Sequence, residues 1–213
     1  DNCKKSAPNQ GEDTSGDDTI AALGGDDVIK GQGGNDVIDG GDGFDQIAFT
    51  SNTASVTVDL SAGTAVGADS GNDTFTNIEG VIGSNFDDTL TGDANSNSFV
   101  GLGGNDTIDG GDGSDWVWYG HSTDGVTIDL STGTASSTSG GNDTLTNIEE
   151  VHGSNFADTI TGDAKENWFY PDNLGDSSAP ASTVGSSDTI DGGSGDNDTL
   201  SYWGTTYSQG TSL

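Results

Sequence analysis

Apolar and polar residues recur along this chain with a period of nine. Residues 13–48 divide into four nonapeptides, DTSGDDTIA, ALGGDDVIK, GQGGNDVID and GGDGFDQIA. The sixth place of each is an aspartate (Asp18, Asp27, Asp36 and Asp45), the eighth is an isoleucine, and the fourth is a glycine. Glycine permits tight turns, and one apolar residue between two others suits a short strand with one side chain facing inward. The pattern therefore predicts turns and short strands in alternation, forming a coil that stacks on itself.

The nonapeptide returns in three later blocks, at 83–118, 153–170 and 183–200. Their sixth places hold Asp88, Asn97, Asp106 and Asp115 in the first of these blocks, Asp158 and Asn167 in the second, and Asp188 in the third. The last nonapeptide departs from the pattern, because Asn197 stands at the sixth place and Asp198 follows one place late. We therefore include Asp198 as a doubtful member of the series.

A longer repeat includes the segments between these blocks. Residues 40–100 match residues 110–170 at a shift of 70, with 35 of 61 positions identical. The matched pieces include NDTFTNIEG and NDTLTNIEE, which do not follow the nonapeptide, so we expect the intervening segments to be further rungs of the same coil. Asp59 and Glu79 recur as Asp129 and Glu149. Whether these four residues bind a cation is left open by the sequence.

The four consecutive nonapeptides resemble the G-G-x-G-x-D-x-U-x repeat of the repeats-in-toxin (RTX) family, which forms a calcium-binding parallel β-roll. The resemblance implies that successive nonapeptides lie on alternate sides of the coil. Asp18 would then pair with Asp36, and Asp27 with Asp45, each pair holding one Ca²⁺ ion with turn carbonyl groups. We expect an all-β fold, a parallel β-roll or β-solenoid with Gly/Asp turns, as one elongated domain over 13–213. Residues 1–12 would form a tail, and the proline-containing segment 171–182 a loop insertion.

The chemistry of the sixth places indicates a hard cation. Carboxylate and carbonyl oxygens without His or Cys suit Ca²⁺, which takes six to eight oxygen ligands, better than Mg²⁺. We expect several Ca²⁺ ions, and an asparagine offers only a neutral amide oxygen, so sites that contain Asn97 or Asn167 should be weaker. The predicted ligands are Asp18, Asp27, Asp36, Asp45, Asp88, Asn97, Asp106, Asp115, Asp158, Asn167, Asp188 and Asp198.

Composition alone would favour disorder. The chain has 36 acidic and four basic residues, a net charge of −32 and only 29% hydrophobic residues, which is typical of disordered segments. The fixed spacing of Asp and Ile argues for a fold instead, but one apolar side chain per nonapeptide is a small core. Cations between the acidic turns should supply the missing stability, so we expect folding and metal binding to be a single event.

The same charge excludes some partners. A strongly acidic chain is unsuited to nucleic acid and to anionic membrane surfaces, and no apolar run is long enough for membrane insertion. No signal peptide pattern is present at Asp1, which we interpret as the start of a mature or trimmed product. Numerous weak calcium sites suit millimolar calcium, so we expect an extracellular protein, either secreted or on the cell surface.

Candidate interaction residues lie outside the Asp series. By register, Trp116, Trp118, Trp168 and Tyr170 flank inward-facing positions and should point outward, where aromatic residues suggest contact with a sugar chain, a neighbouring subunit or the 171–182 loop. Lys4 and Lys5 are half of all basic residues, and the tail that carries them is a candidate for docking on a neighbour. His121 and His152 belong to no recognisable catalytic pattern.

These observations predict a non-enzymatic structural protein whose folding depends on Ca²⁺. The ends of a solenoid are open sheet edges, and no capping helix is visible, so end-to-end self-association into a fibre or surface layer is the first hypothesis. A calcium-folded secretion or adhesion module of a larger RTX protein is the second. A polysaccharide-binding module that uses the tryptophans is the third.

Overall fold

A computed structural model describes residues 16–171, 188–195 and 197–202, together with the backbone of two short terminal strands, Lys4–Lys5 and Thr205–Ser208. These residues form strands and turns without a helix, so none of them forms an apolar helix able to span a membrane. The predicted loop insertion at 171–182 lies outside the described residues apart from Pro171.

The described residues form 22 short strands, most of which have three or four residues. In chain order they are β1 (Lys4–Lys5), β2 (Thr19–Ala21), β3 (Val28–Ile29), β4 (Val37–Asp39), β5 (Gln46–Ala48), β6 (Val56–Asp59), β7 (Thr64–Gly67), β8 (Gly71–Thr76), β9 (Gly80–Ile82), β10 (Thr89–Thr91), β11 (Ser98–Val100), β12 (Thr107–Asp109), β13 (Trp116–Trp118), β14 (Thr127–Asp129), β15 (Thr134–Ser137), β16 (Gly141–Thr146), β17 (Glu150–His152), β18 (Thr159–Thr161), β19 (Trp168–Tyr170), β20 (Thr189–Asp191), β21 (Thr199–Tyr202) and β22 (Thr205–Ser208).

The strands form two sheets, and each coil of the chain contributes to both. The first sheet, sheet A, has 13 strands in the order β1-β2-β4-β8-β7-β6-β10-β12-β16-β15-β14-β18-β20. The second, sheet B, has nine strands in the order β22-β21-β19-β17-β13-β11-β9-β5-β3. Because alternate strands of the nonapeptide blocks enter alternate sheets, two nonapeptides make one coil, as the resemblance implied. The all-β, parallel-strand fold expected from the sequence is confirmed.

The eighth place of each nonapeptide supplies the core, and the parallel register stacks like residues. Ile20 pairs with Ile38 in sheet A, and Ile29 pairs with Ile47 in sheet B. The aliphatic and aromatic residues at this place, from Ile20 to Phe169, are at most 3% exposed. Their neighbours at the seventh and ninth places project from the other face of the strand, which leaves one inward side chain per strand.

The segments between nonapeptide blocks belong to the same coil, as predicted, but they are not single rungs. In each copy of the 70-residue repeat the chain forms a three-stranded meander within sheet A, β6-β7-β8 and β14-β15-β16, in which the middle strand is antiparallel to both neighbours. The meander ends parallel to the preceding coil, where β8 pairs with β4 and β16 pairs with β12. The register of the turns is therefore maintained across the interruption.

The two ends of the roll carry one additional strand each. At the N-terminal end, β1 pairs antiparallel with β2 in sheet A. At the C-terminal end, β22 pairs antiparallel with β21 in sheet B. The strand formed by Lys4 and Lys5 thus lies on its own chain, and docking of the 1–12 tail on a neighbour stays a prediction.

Candidate calcium sites in the turns

The sixth-place side chains join successive coils on the side of sheet A. The amide of Asp18 donates to Asp36 Oδ1 at 2.8 Å, and the amide of Asp36 donates to Asp73 Oδ1 at 2.9 Å. The second copy repeats this series, since the amide of Asp88 donates to Asp106 Oδ1 and the amide of Asp106 donates to Asp143 Oδ1. At the C-terminal end the amide of Asp158 donates to Asp188 Oδ1 at 2.9 Å. The carboxylates therefore form a column along the roll.

A second column follows sheet B. The amide of Asp27 donates to Asp45 Oδ1 at 2.8 Å, and the amide of Asp45 donates to Glu79 Oε2 at 2.8 Å. In the second copy the acceptors are Asp115 for the amide of Asn97 and Glu149 for the amide of Asp115. The pairing of Asp18 with Asp36 and of Asp27 with Asp45, expected from the RTX resemblance, is the pairing that these bonds make.

Asp198 belongs to this second column although it is one place late in sequence. Its Oδ1 accepts from the amide of Asn167 at 3.0 Å, and its side chain is 4% exposed. The preceding Asn197 adopts φ of 73°, so the turn accommodates the additional residue and β21 keeps its register with β19. The asparagine at the expected place is therefore a turn residue, and the aspartate after it occupies the structural position.

The sequence analysis did not identify Asp73 and Asp143, which lie in the meanders. A signal was available, because SGND (70–73) and GGND (140–143) repeat the GGND of 33–36 and 103–106. The four acidic residues that recur at the 70-residue shift have two different environments. Glu79 and Glu149 belong to the column, whereas Asp59 and Asp129 hydrogen-bond Ser61 and Ser131 within their own turns.

The column side chains are buried. Asp36, Asp45, Asp88, Asn97, Asp106, Asp115, Asp158 and Asn167 are each at most 2% exposed, and Asp27 is 8% exposed. Asp18 and Asp188 are half-buried. A solvated acidic linker would leave its carboxylates in water, so burial separates this protein from that alternative.

Five turns share a backbone conformation with two left-handed residues. We call them the open turns: 22–27, 31–36, 40–45, 101–106 and 110–115. The second residue of each has a positive φ, in order Leu23, Gln32, Gly41, Leu102 and Gly111, and so does the glycine at the fourth place. The second carboxylate oxygen, Oδ2, of Asp27, Asp45, Asp106 and Asp115 is buried without a hydrogen-bond partner.

In four other turns a donor of the same turn binds an oxygen of the sixth-place side chain. We call them the capped turns: 83–88, 92–97, 153–158 and 162–167. Here the amide of the second residue donates to the sixth-place side chain, from Ser84 to Asp88 Oδ2 at 2.6 Å and from Asp93 to Asn97 Oδ1 at 2.8 Å. The Ser84 hydroxyl adds a bond to Asp88 Oδ1 at 2.8 Å. The duplicated turns at 153–158 and 162–167 repeat this arrangement.

The backbone explains the difference between the two classes. In a capped turn the second amide points at the carboxylate, whereas in an open turn the positive φ turns that peptide away. In the open turn 110–115, for example, the amide of Gly111 donates to Asp109 Oδ1 at 3.2 Å instead. The sequence marker is the fourth place, which is glycine in every open turn and Phe, Asn or Lys in the capped turns.

Burial perturbs the carboxyl groups of the columns. Desolvation, reinforced by the charges of Asp143 and Asp88, raises the pKa of Asp106 to about 8. Desolvation and the charge of Glu149 raise the pKa of Asp115 to about 7. Both pKa values lie near or above neutrality, so the metal-free fold disfavours the ionised carboxylates that a cation would stabilise.

The donors fit a calcium ion. At Gly40 the carbonyl oxygen of Asn77 and Oδ2 of Asp45 converge on the space that a Cβ would occupy, and at Gly110 the carbonyl of Asn147 and Oδ2 of Asp115 do the same. Carbonyl and carboxylate oxygens are the ligands that Ca²⁺ takes in proteins. Among the described residues no three His, Cys, Asp or Glu side chains cluster as a metal site, so backbone carbonyls must complete any coordination shell, as they commonly do for Ca²⁺.

The predicted aromatic interaction residues gather on the outer face of sheet B. Trp118, His152 and Tyr170 are neighbours in register, as are Trp116, Glu150 and Trp168. Trp168 is 41% exposed, while Trp116 and Trp118 are half-buried. His152 stacks on Tyr170 and lies 2.6 Å from Glu150 Oε1, and His121 packs edge-on against Trp118. The outward direction expected for these aromatic residues agrees with their places beside buried Val117 and Phe169.

Comparison with known proteins agrees with the turn geometry. No curated protein sequence matches the chain. A family model for the RTX calcium-binding nonapeptide repeat, in four copies, matches residues 12–47, 82–118 and 149–170. These repeats imply calcium binding, the family is typically non-catalytic, and proteins that carry them are generally secreted. The chain belongs to the RTX calcium-binding nonapeptide-repeat family.

Proposed function

We propose that this chain is a non-enzymatic, extracellular structural module whose β-roll folds when Ca²⁺ ions neutralise the carboxylates of its turns. One observation carries the proposal: in the open turns the Oδ2 atoms of Asp27, Asp45, Asp106 and Asp115 are buried without a hydrogen-bond partner. An ionised oxygen in that situation costs several kcal/mol unless a charge or donor compensates it. A bound Ca²⁺ ion supplies that compensation.

The net charge of −32 supports coupling between metal binding and folding. Within each of the two columns, successive acidic side chains lie one coil apart. Each ionised carboxylate therefore raises the free-energy cost of ionising the next one. In the unfolded chain the same groups are solvated and far apart. Ca²⁺ therefore binds the folded state preferentially, and its binding free energy becomes folding free energy.

The two classes of turn divide the predicted ligands. We assign Ca²⁺ to the open turns, with Asp18, Asp188 and Asp198 continuing the columns at the two ends. In the capped turns, a donor of the same turn already binds a side-chain oxygen of the sixth-place residue. We therefore propose that Asp88, Asp158, Asn97 and Asn167 stabilise their turns through hydrogen bonds, which revises the expectation that every sixth place is a ligand.

A chelation experiment tests the proposal. Far-UV circular dichroism of the full chain should show a β-rich spectrum in millimolar Ca²⁺, loss of that spectrum in excess EDTA, and recovery when Ca²⁺ is restored. Mg²⁺ at the same concentration is the control and should restore much less, because it demands a small octahedral shell. A β-rich spectrum that persists unchanged in EDTA would contradict the proposal.

End-to-end self-association is the assembly that the sheet edges favour. One additional strand extends sheet A at the N-terminal end and sheet B at the C-terminal end. When two chains meet end to end, β1 of one and β22 of the other would complete a shared coil and cover the β20 and β3 edges. Sedimentation velocity in Ca²⁺ should show concentration-dependent growth, and a monomer at high concentration would exclude a fibre or surface layer.

Polysaccharide binding has a separate basis in the outer face of sheet B. Trp116 and Trp168 lie two strands apart with Glu150 between them, and aromatic rings on a polar surface suit stacking against sugar rings. Trp168→Ala should weaken glycan binding without changing calcium content if this function is present. A secretion or adhesion module of a larger RTX protein is the remaining alternative, and a longer parent gene would support it.

A further inference from the structure

The two copies of the 70-residue repeat place an aspartate at an equivalent position outside the family repeats. The amide of Asp36 donates to Asp73 Oδ1 at 2.9 Å, and the amide of Asp106 donates to Asp143 Oδ1 at 3.0 Å. Both aspartates are buried, Asp73 at 2% and Asp143 at 6% exposure. Both lie in meander segments, 48–81 and 119–148, that the RTX family model does not match.

The copies differ in a hydroxyl group that contacts one of these carboxylates. The hydroxyl of Tyr119 donates to Asp143 Oδ2 at 2.9 Å. The equivalent residue of the first copy is Phe49, which is 4% exposed and has no hydroxyl group. Asp73 Oδ2 is buried and has no hydrogen-bond partner.

Phe49 and Tyr119 make the same backbone hydrogen bonds. The two copies therefore differ here in the side-chain hydroxyl and not in the path of the backbone. The amide of Phe49 donates to the carbonyl of Ile82 at 2.8 Å, and the amide of Tyr119 donates to that of His152 at 2.9 Å. Each residue also accepts at its carbonyl from the residue three places later, at 2.9 Å in both copies.

Asp73 also shares the local signature of the open turns. The residue two places before it, Gly71, has φ of 84°, as the glycines two places before Asp36 and Asp106 also have positive φ. The carbonyl oxygen of Gly34 lies so close to Gly71 that a Cβ there would collide with it. A carbonyl oxygen of turn 31–36 thus lies beside Gly71, two residues before the unpartnered carboxylate of Asp73.

We propose that Asp73 binds an additional Ca²⁺ ion between its coil and the turn 31–36, and that the Tyr119 hydroxyl replaces the corresponding ion beside Asp143. The site lies outside the nonapeptide repeats and deepens the proposed function, on which it rests. The first copy of the repeat thereby binds one ion more than the second at this level, because a phenylalanine stands where the second copy has a tyrosine.

Reciprocal substitutions test the proposal. Phe49→Tyr installs the hydroxyl and should lower the number of bound Ca²⁺ ions per chain by one. Tyr119→Phe removes it beside Asp143 and should raise the number by one, and the double variant should match the wild type. The count is made by native mass spectrometry of the full chain in saturating Ca²⁺, with equilibrium dialysis and elemental analysis as a second measurement.

Asp73→Asn provides an independent arm, because it keeps the shape of the side chain and removes its charge. It should lower the count by one, and Asp59→Asn, an aspartate outside the columns, should leave the count unchanged. Unchanged counts in Phe49→Tyr and Asp73→Asn would overturn the inference and assign a water molecule or a proton to Asp73. A wild-type chain that binds no Ca²⁺ would instead overturn the proposed function itself.

Discussion

Turns 83–88 and 101–106 are stacked neighbours in one column, but only the first provides hydrogen bonds to its own sixth-place carboxylate. Asp88 and Asp106 are both 2% exposed, and the amide of Asp88 donates to Asp106 Oδ1 at 2.9 Å. Asp88 receives further bonds from the amide and hydroxyl of Ser84 and from the amide of Val56. Asp106 Oδ2 receives none. The backbone of the turn, rather than the aspartate itself, decides whether the second carboxylate oxygen receives a hydrogen bond within the turn.

The distribution of asparagine supports this interpretation. Both asparagines at regular sixth places, Asn97 and Asn167, stand in capped turns, where one oxygen accepts from the second amide. An amide side chain is sufficient for that bond, whereas an open turn that binds Ca²⁺ needs the charge. Under the proposed assignment these turns need no ion, and the weak sites predicted from the sequence at Asn97 and Asn167 stay a prediction.

The largest expected effect concerns the calcium-free chain and its pH dependence. The folded-state pKa of Asp106, about 8, and of Asp115, about 7, lie above the ordinary value of 3.8. Between the ordinary pKa and these raised pKa values, the folded chain binds more protons than the unfolded chain. The stability of the calcium-free fold therefore falls as pH rises through that range. In EDTA, lowering the pH from about 8 to about 5 should increase β-structure in far-UV circular dichroism, because protonation substitutes for the cation. A calcium-free spectrum insensitive to pH, or one that loses β-structure on acidification, would contradict the perturbed carboxyls.

The next effect separates the two turn classes directly. Asp106→Asn should lower the calcium count by at least one and raise the Ca²⁺ concentration at the folding midpoint, because the open turn loses its charge. Asp88→Asn is the matched control in the adjacent capped turn. It should keep the wild-type count and cost about 1–2 kcal/mol, since an amide cannot accept the Ser84 amide and hydroxyl bonds as well as a carboxylate can. Isothermal titration calorimetry gives the count, and equal losses of Ca²⁺ in the two variants would remove the distinction.

The sequence predicted the coil, the core and most of the column because these follow from one repeated spacing. The eighth-place residues from Ile20 to Phe169 are buried, and the sixth-place residues lie in the columns, as expected. The meanders were expected only as rungs, because alternation within a strand does not reveal whether the next strand runs parallel or antiparallel. The unlike surroundings of Asp73 and Asp143 could not be predicted, since they depend on a tertiary contact made by Tyr119.

The division between open and capped turns was visible in the sequence but required the structure to interpret. A fourth-place glycine occurs in every open turn, yet without φ values it cannot be known that the second amide turns away. Asp198 shows the opposite case. The nine-residue spacing placed it outside the series, but the left-handed conformation of Asn197 brings its carboxylate into the second column.

A smaller effect is expected from the hydroxyl that completes a capped turn. Ser84 Oγ donates to Asp88 Oδ1 at 2.8 Å and accepts from the amide of Phe86 at 3.1 Å. Ser84→Ala should therefore destabilise the calcium-bound fold by about 1 kcal/mol, measured by urea denaturation, with no change in calcium count. Ser114→Ala, an exposed serine in an open turn, is the control and should be close to neutral. A loss of bound Ca²⁺ in Ser84→Ala would mean that the capped turn contributes to a metal site.

The smallest effect tests the backbone conformation that defines an open turn. Leu102 has φ of 74°, a region that costs a residue with a Cβ about 1–2 kcal/mol but is open to glycine. Leu102→Ala and Leu102→Gly both remove the side chain, and the glycine variant alone also relieves the strain. Because glycine loses more entropy on folding, we expect Leu102→Gly to be more stable than Leu102→Ala by only about 0.5–1 kcal/mol in urea denaturation with saturating Ca²⁺. Ala94→Gly, in a capped turn where φ is not left-handed, should be destabilising by a similar amount. If the alanine variant at 102 equals or exceeds the glycine variant in stability, the second residue of the open turn is not held in the left-handed conformation, and a rotated peptide can no longer explain the unpartnered carboxylate.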